Sequence, residues 1–415
     1  MKKKLAKHVF LVLKIALAVV LLVWVLSKAH WGDYVLAKDG STWSWLPAEG
    51  SATQFVSESY LQAVMRGRLR ERETREFRPE EFVPVSEQAP PGDLAAGYVR
   101  PGLASSLRHI NLTYFALAAA CFPLSLLVVG YRFWYLLLIQ NIRIGLWEAI
   151  RLTFLGQFFN MVVPGTVGGD LVKAWYVSRH THKTAGVIIT IFADRLFGLL
   201  ELVLMAGGML TFVLATGLES PVRMKSSIVT VVVSAAITAV MLAMFFSQRL
   251  RRLPGLHWLC ERLRITHHLR AASQSVRIFK RRPSFVFWTL LITLVGHLLF
   301  LGGIALIGQA LGLGVPVYLY FVYLPLIYIL GAIPITPGGV GWVENLFVEF
   351  FRATAAALSG IVALAMLARL LPVFWGLPGL VVAITGPKLP KADQMQEQLD
   401  QAEAEEEKEQ GDVSS

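Results

Sequence analysis

The chain has 415 residues, of which 55% are hydrophobic and 16% charged, and its mean hydropathy is +0.56. Soluble domains carry about 25% charged residues, so this composition excludes an ordinary soluble fold and indicates an integral membrane protein. The net charge of +11 does not indicate nucleic acid as a partner: the basic residues cluster in short loops beside apolar spans, as in cytoplasmic membrane loops. Two cysteines, Cys121 in an apolar run and Cys260 in a basic loop, argue against a disulfide framework. No Cys/His cluster has metal-ligand spacing, since His267-His268 reads as a solvated pair, and no cofactor is expected.

In chain order, residues 1–27 begin "MKKKLAKHVF" and read as an N-terminal anchor. Val9 to Leu26 is long enough to span, and no clean A-x-A site supports a cleaved signal peptide. Lys2, Lys3, Lys4 and Lys7 place this end in the cytoplasm, and Lys14 is expected to snorkel back to that surface. Residues 28–108 form a polar insert outside. Its start, "WGDYVLAKDGSTWSWLP", suggests short strands or turns, and "RGRLRERETREFRPEEF" suggests a solvated helix. A first membrane unit, 109–246, holds full spans at 111–130, 186–216 and 227–246. The first of these spans ends at the cytoplasmic Arg132 and Arg143. Residues 247–283 carry ten Lys/Arg against Glu261, which makes them a cytoplasmic loop able to lie on anionic lipid head groups. A second unit, 284–388, holds spans at 285–308 and 357–385. In 389–415, nine acids against one lysine from Asp393 onward, with no apolar period, indicate a disordered cytoplasmic tail.

Two further segments, 146–178 and 317–352, are apolar but broken in the middle by Pro and Gly. Pro164-Gly165-Thr166-Val167-Gly168-Gly169 aligns with Pro334-Ile335-Thr336-Pro337-Gly338-Gly339 at an offset of 170. Arg195-Leu196 aligns with Arg369-Leu370 at an offset of 174. Charges on the flanking loops return each broken segment to the side it entered from. The expectation is an all-α polytopic fold with six full spans and two re-entrant broken helices in inverted repeats, or eight spans if both segments cross. Inverted repeats of broken helices are a transporter architecture. Non-helical backbone is tolerated at membrane depth only where it is buried or faces a wet cavity. The half-helices that follow Gly169 and Gly341 are expected to aim free N–H groups at that cavity and attract anions.

An ionisable residue inside a span costs about 2.5–3.5 kcal/mol by insertion scales unless it is paired or wet. The candidates are Asp170, Lys173, Asp194, Arg195, Glu201, Glu344 and Arg369. Arg369 lies near the centre of its span, where it either holds a phosphate or pairs with a carboxylate such as Glu344. Asp194-Arg195 reads as an interfacial ion pair or a site pair. Asp170 and Glu344 stand in the first turns of their half-helices, as a cap or dipole partner or as coupling groups. Lys173, one turn on, pairs with Asp170 or meets phosphate. Gln157, Asn160 and Glu201 line a cavity or pack helices. Trp134, Trp175 and Trp288 read as interface anchors.

The stretches "RLTFLGQFFNMVVPGTVGGDLVKAWYVSR", "FADRLFGLLELV" and "IPITPGGVGWVENLFV" resemble the lysylphosphatidylglycerol synthetase transmembrane-region family of flippase-like membrane proteins. The likeness covers roughly 1–27 and 110–385. It implies a bacterial-type inner-membrane protein acting on a lipid or lipid-linked substrate. The expected activity is movement of an anionic phospholipid or a polyprenyl-phosphate-linked glycan between leaflets. Arg369 and Arg195 would hold the phosphate, and Asp170 and Glu344 would neutralise the site's positive charge or couple protons. The alternatives are a membrane transferase acting on lipid-linked sugar or aminoacyl groups, and a non-transporting envelope scaffold. No P-loop and no metal-binding D-x-D supports the transferase. The sequence leaves the oligomeric state open.

Overall fold

A computed structural model of the chain describes residues 2–36, 42–45, 55–57, 74–75, 100–162, 168–181, 183–220, 224–246, 283–354, 356–386, 390, 394–399 and 401–402. The basic loop 247–282, and Pro164, Gly165 and Thr166, lie outside the described residues. The long helices are α1 (Lys2–Ser27), α3 (Leu112–Ile139), α6 (Thr184–Ala215), α7 (Lys225–Phe246), α8 (Pro283–Ala310) and α11 (Leu358–Gly376). Between them lie α2 (Leu103–Arg108), α4 (Leu146–Val162), α5 (Gly168–Thr181), α9 (Val317–Gly331), α10 (Trp342–Phe351) and α12 (Pro378–Thr385). Among the described residues, five helical stretches are long and apolar enough to cross a membrane: α3, α6, the Lys225–Ala243 part of α7, the Ser284–Ala310 part of α8, and α11 with α12. Leu13–Ser27 and α9 are shorter apolar helices. The protein is therefore a multi-pass membrane protein whose membrane part is all-α, and apolar side chains such as Val19, Leu204, Val232, Phe287 and Val381 are exposed along its outside.

Two boundaries differ from the sequence reading. The second span does not stop before Arg132: α3 runs on to Ile139, and Arg132 is buried inside it. A charge need not mark a helix end when it has an internal partner. The last span is two helical pieces, because Pro378 lacks an N–H and starts a new stretch after Leu377.

The broken segments form helical hairpins. α4 has 17 residues, α5 has 14, α9 has 15 and α10 has 10. At 1.5 Å per residue each is shorter than a hydrocarbon core of about 30 Å. α4 and α5 pack on each other, with Gly156 against Gly169. A Cβ on Gly169 would lie 2.6 Å from the carbonyl carbon of Gly156. Gly169→Ala is expected to cost about 1–3 kcal/mol through overpacking, read as a lower melting temperature of the purified protein. α9 and α10 are joined through a 3₁₀ turn, Pro337–Gly339. There Gly338, Gly339 and Gly341 take φ of 59°, 68° and 76°, the left-handed region that glycine enters without strain.

The two hairpins root at opposite ends. One core cluster joins Phe133 and Leu137 late in α3, Leu152 in α4, Trp175 in α5 and Val187 early in α6. The other joins Phe122 early in α3, Val213 late in α6, Ile304 late in α8, Tyr320 in α9, Phe351 in α10 and Ile361 early in α11. The packing is reciprocal. α3 lies along α8; α6 packs on α8 and α9, while α11 packs on α3 and α4. α7 packs on α9, and α12 packs on α4. Lipid is as apolar as leucine, so such association rests on close packing between helices. Gly303 serves this at the α3–α8 contact, where an added Cβ would lie 3.1 Å from Cβ of Cys121.

In the insert, β1 (Tyr34–Leu36), β2 (Thr42–Trp45), β3 (Phe55–Ser57) and β4 (Thr74–Arg75) pair in sequence order as an antiparallel sheet. The expected strands are present, but Thr74–Arg75 is strand where a solvated helix was expected; cross-strand pairing to β3 decides it. The insert is tied to the membrane part where Ser359 Oγ donates to the Pro101 carbonyl at 2.6 Å.

The tail also departs from expectation. Residues 394–399 are helical, not disordered, with Met395 and Leu399 buried in the Trp175 cluster. Trp175 Nε1 donates to Gln398 Oε1 at 2.7 Å. Trp175 is thus buried rather than an interface anchor, whereas Trp288 is exposed. Two apolar residues spaced i, i+4 inside an acidic run are too short a pattern to register as a helix face. Leu399→Asp is expected to release this segment by placing a charge in an apolar cluster. The readout is faster proteolysis within 390–402 of the intact protein; an unchanged digestion pattern would contradict the docking.

Candidate functional site

Residues of both hairpins line one cavity of about 570 Å³. α3, α6, α8 and α11 wall it, with residues of both hairpins, including Asn160, Asp170, Gly338, Gly339 and Glu344. All seven substrate-binding candidates from the sequence (Arg369, Arg195, Asp170, Glu344, Lys173, Asp194 and Asn160) line it. Gln157 lines it too. Gly168, Gly169, Pro334, Thr336, Pro337 and Gly341 shape the tips without lining the cavity themselves.

Most of the charge is neutralised within the protein. Arg195 Nε donates to Asp170 Oδ2 at 2.7 Å. Arg369 Nε donates to Glu344 Oε1, its Nη1 to the Gly338 carbonyl at 3.1 Å, and its Nη2 to the Gly339 carbonyl at 3.0 Å. The two pairs are equivalent: each spans 25 residues, and Asp170 and Arg195 map onto Glu344 and Arg369 at the same offset of 174. Asp194 and Arg195 do not pair with each other as an interfacial unit. Asp194 instead lies 2.7 Å from Arg132 Nε, as an ion contact without hydrogen-bond alignment. Arg132 Nη1 donates to Thr293 Oγ1 at 3.1 Å.

One N–H at each helix start is taken up by a side chain. The Gly169 N–H donates to Asn160 Oδ1 at 2.9 Å, and the Gly341 N–H to Glu344 Oε2 at 2.7 Å. Asp170 and Glu344 stand in the first turns of α5 and α10, where the helix dipole favours their negative charge. An anion arriving there would meet carboxylates. Nor does Lys14 reach only for the membrane surface: its ammonium donates to the Pro334 carbonyl at 2.9 Å, tethering α1 to the second tip.

Lys173 is different. It is 8% exposed and lines the cavity, and among the described residues no carboxylate is within ion-pair reach of it. Its ammonium lies 5.1 Å from the Phe133 ring centroid, a cation–π distance. Asp170 and Asp194, the nearby acids, are held by Arg195 and Arg132.

Sequence reasoning missed three ionisable lining residues: Arg132, Tyr328 and His297. His297 sits on α8 and its Nδ1 pairs with Oε2 of the buried Glu201 on α6. The signal for it was a lone imidazole in the middle of an apolar span. Among the described residues, no group of three or more His, Cys, Asp or Glu is placed to hold a metal.

Residues 101–379 match the family model described as the lysylphosphatidylglycerol synthase TM region. The chain belongs to this family. Both hairpins, their ion pairs and the cavity fall inside the matched region. No curated protein matches the chain.

Proposed function

We propose that this member of the lysylphosphatidylglycerol synthase TM region family moves a lipid with a phosphate-bearing head group between leaflets. The substrate is an anionic phospholipid or a polyprenyl-phosphate-linked glycan. The observation that carries this is Lys173: a buried, cavity-facing cation with no acid partner among the described residues. A buried unpaired charge is costly, so an anionic ligand that neutralises it gains correspondingly. The arginines first suggested for that role, Arg369 and Arg195, act as clamps that hold the hairpin tips to α11 and α6.

The reciprocal packing supports an inverted repeat of α3–α4–α5–α6–α7 on α8–α9–α10–α11–α12, with each hairpin re-entrant from its own face. The paired spacings of the two Arg–carboxylate clamps support the same reading. In this mechanism the head group crosses through the cavity while the acyl chains stay in the bilayer. The half-exposed Arg195 side chain marks the rim where a lipid enters. A cavity of about 570 Å³ is of head-group size. We place the protein in an inner, cytoplasmic membrane with N- and C-termini inside, and read it as a transporter rather than an enzyme.

The test is reconstitution into liposomes carrying NBD-labelled phosphatidylglycerol. Dithionite then bleaches outer-leaflet label and, if the lipid moves, the inner-leaflet label as well. Bleaching limited to the outer leaflet at all protein densities sinks the proposal.

A further inference from the structure

The cavity holds one ionisable pair of a different kind. His297 is central in α8 and Glu201 central in α6. The Glu201 side chain is 5% exposed; that of His297 is 22% exposed and lines the cavity. α8 packs on α3, α6, α9 and α11, and the charged groups these elements present to the cavity are otherwise fixed. Arg132 is held by Asp194, and Arg369 by Glu344 of α10. On α6, Arg195 is held by Asp170 of α5. Lys173 of α5 and Tyr328 of α9 complete the set. Arginine does not deprotonate in proteins, so the cationic half of each arginine–carboxylate pair keeps its charge. In His297–Glu201 both partners are protonatable, and imidazole is the side chain whose charge ordinarily changes near neutral pH.

We propose that His297–Glu201 is a proton-binding site that couples lipid movement to a proton gradient, an inference that rests on the transport reading above. With Nδ1–H donating to the ionised Glu201, His297 is neutral, the pair carries one negative charge, and Nε2 is the open proton acceptor. One proton taken up at Nε2 makes an imidazolium–carboxylate pair with no net charge. One proton lost from Nε2 restores the negative charge. The change occurs across the same cavity as Lys173, so the two charge states bias head-group binding in opposite directions. Each coupled proton links the lipid distribution to the gradient: one pH unit shifts the steady-state distribution by up to about tenfold.

Two measurements on the full chain test this. In liposomes holding NBD-labelled phosphatidylglycerol, a gradient of one pH unit should skew the leaflet distribution in wild type. The skew should vanish in His297→Gln and Glu201→Gln. Wild-type movement that ignores the gradient overturns the coupling and leaves transport standing. If the labelled lipid does not move at all, the transport reading fails instead. The site is then judged by ¹⁵N-histidine spectra of the protein in nanodiscs across about pH 5–8. A titrating signal that disappears in His297→Gln and moves in Glu201→Gln supports the proton site. A His297 signal indifferent to pH or to Glu201→Gln overturns it.

Discussion

Arg369→Ala is expected to lower the stability of the protein by about 3–5 kcal/mol, the cost of removing one member of a buried ion pair. Glu344 is 2% exposed and would be left at membrane depth without its cation, keeping, among the described residues, the Gly341 N–H as hydrogen-bond donor. The Gly338 and Gly339 carbonyls would lose their donors at the same time, so the second hairpin tip would loosen from α11. Adding Glu344→Gln to Arg369→Ala removes the stranded charge and should recover part of the loss. A thermal-unfolding cycle of wild type, both single variants and the double variant in detergent measures this coupling. Additive single effects would contradict the clamp. The equivalent pair, Asp170–Arg195, is expected to respond more weakly, because the Arg195 side chain is 53% exposed against 29% for Arg369.

Lys173→Met is expected to give the opposite signature. Methionine has similar length and removes a charge that has no acid partner among the described residues, so stability should hold or rise. Transport should fall. A hydrogen bond to a charged group contributes about 1.5–3 kcal/mol, so losing the phosphate contact should slow lipid movement by about tenfold or more. Lys173→Arg keeps the charge but is not conservative in a fitted cavity. Its larger head meets the backbone at Gly156, where the Lys173 side chain already packs. A structural role for Lys173 would link the two readouts; a binding role separates them.

The membrane class, most of the long spans and both broken segments were legible, because each leaves a run of apolar residues or a cluster of Pro and Gly. The candidate site was legible through one physical rule, the cost of an ionisable residue at depth: of the seven residues it selected, six line the cavity, and Glu201 lies behind it, paired with the lining His297. What failed was partnership. The offset of 174 that relates Arg195 to Arg369 also relates Asp170 to Glu344, but aligning the glycines at 170 hid it. The first hairpin enters its helix directly from Gly168, whereas the second inserts a 3₁₀ turn and Gly341 before Trp342. Arg132 was misplaced because a charge at the end of an apolar run looks like a loop until its partner, Asp194, is known. Met395 and Leu399 were missed because their burial depends on Trp175, more than 200 residues away.

The most direct test of the central claim compares wild type and Lys173→Met side by side in liposomes carrying NBD-labelled phosphatidylglycerol, at matched protein density. The account predicts dithionite-accessible loss of inner-leaflet label in wild type and a rate about tenfold lower or less in Lys173→Met, with unfolding temperature unchanged or raised. Equal rates in the two proteins would contradict Lys173 as the head-group contact on which the proposed function stands.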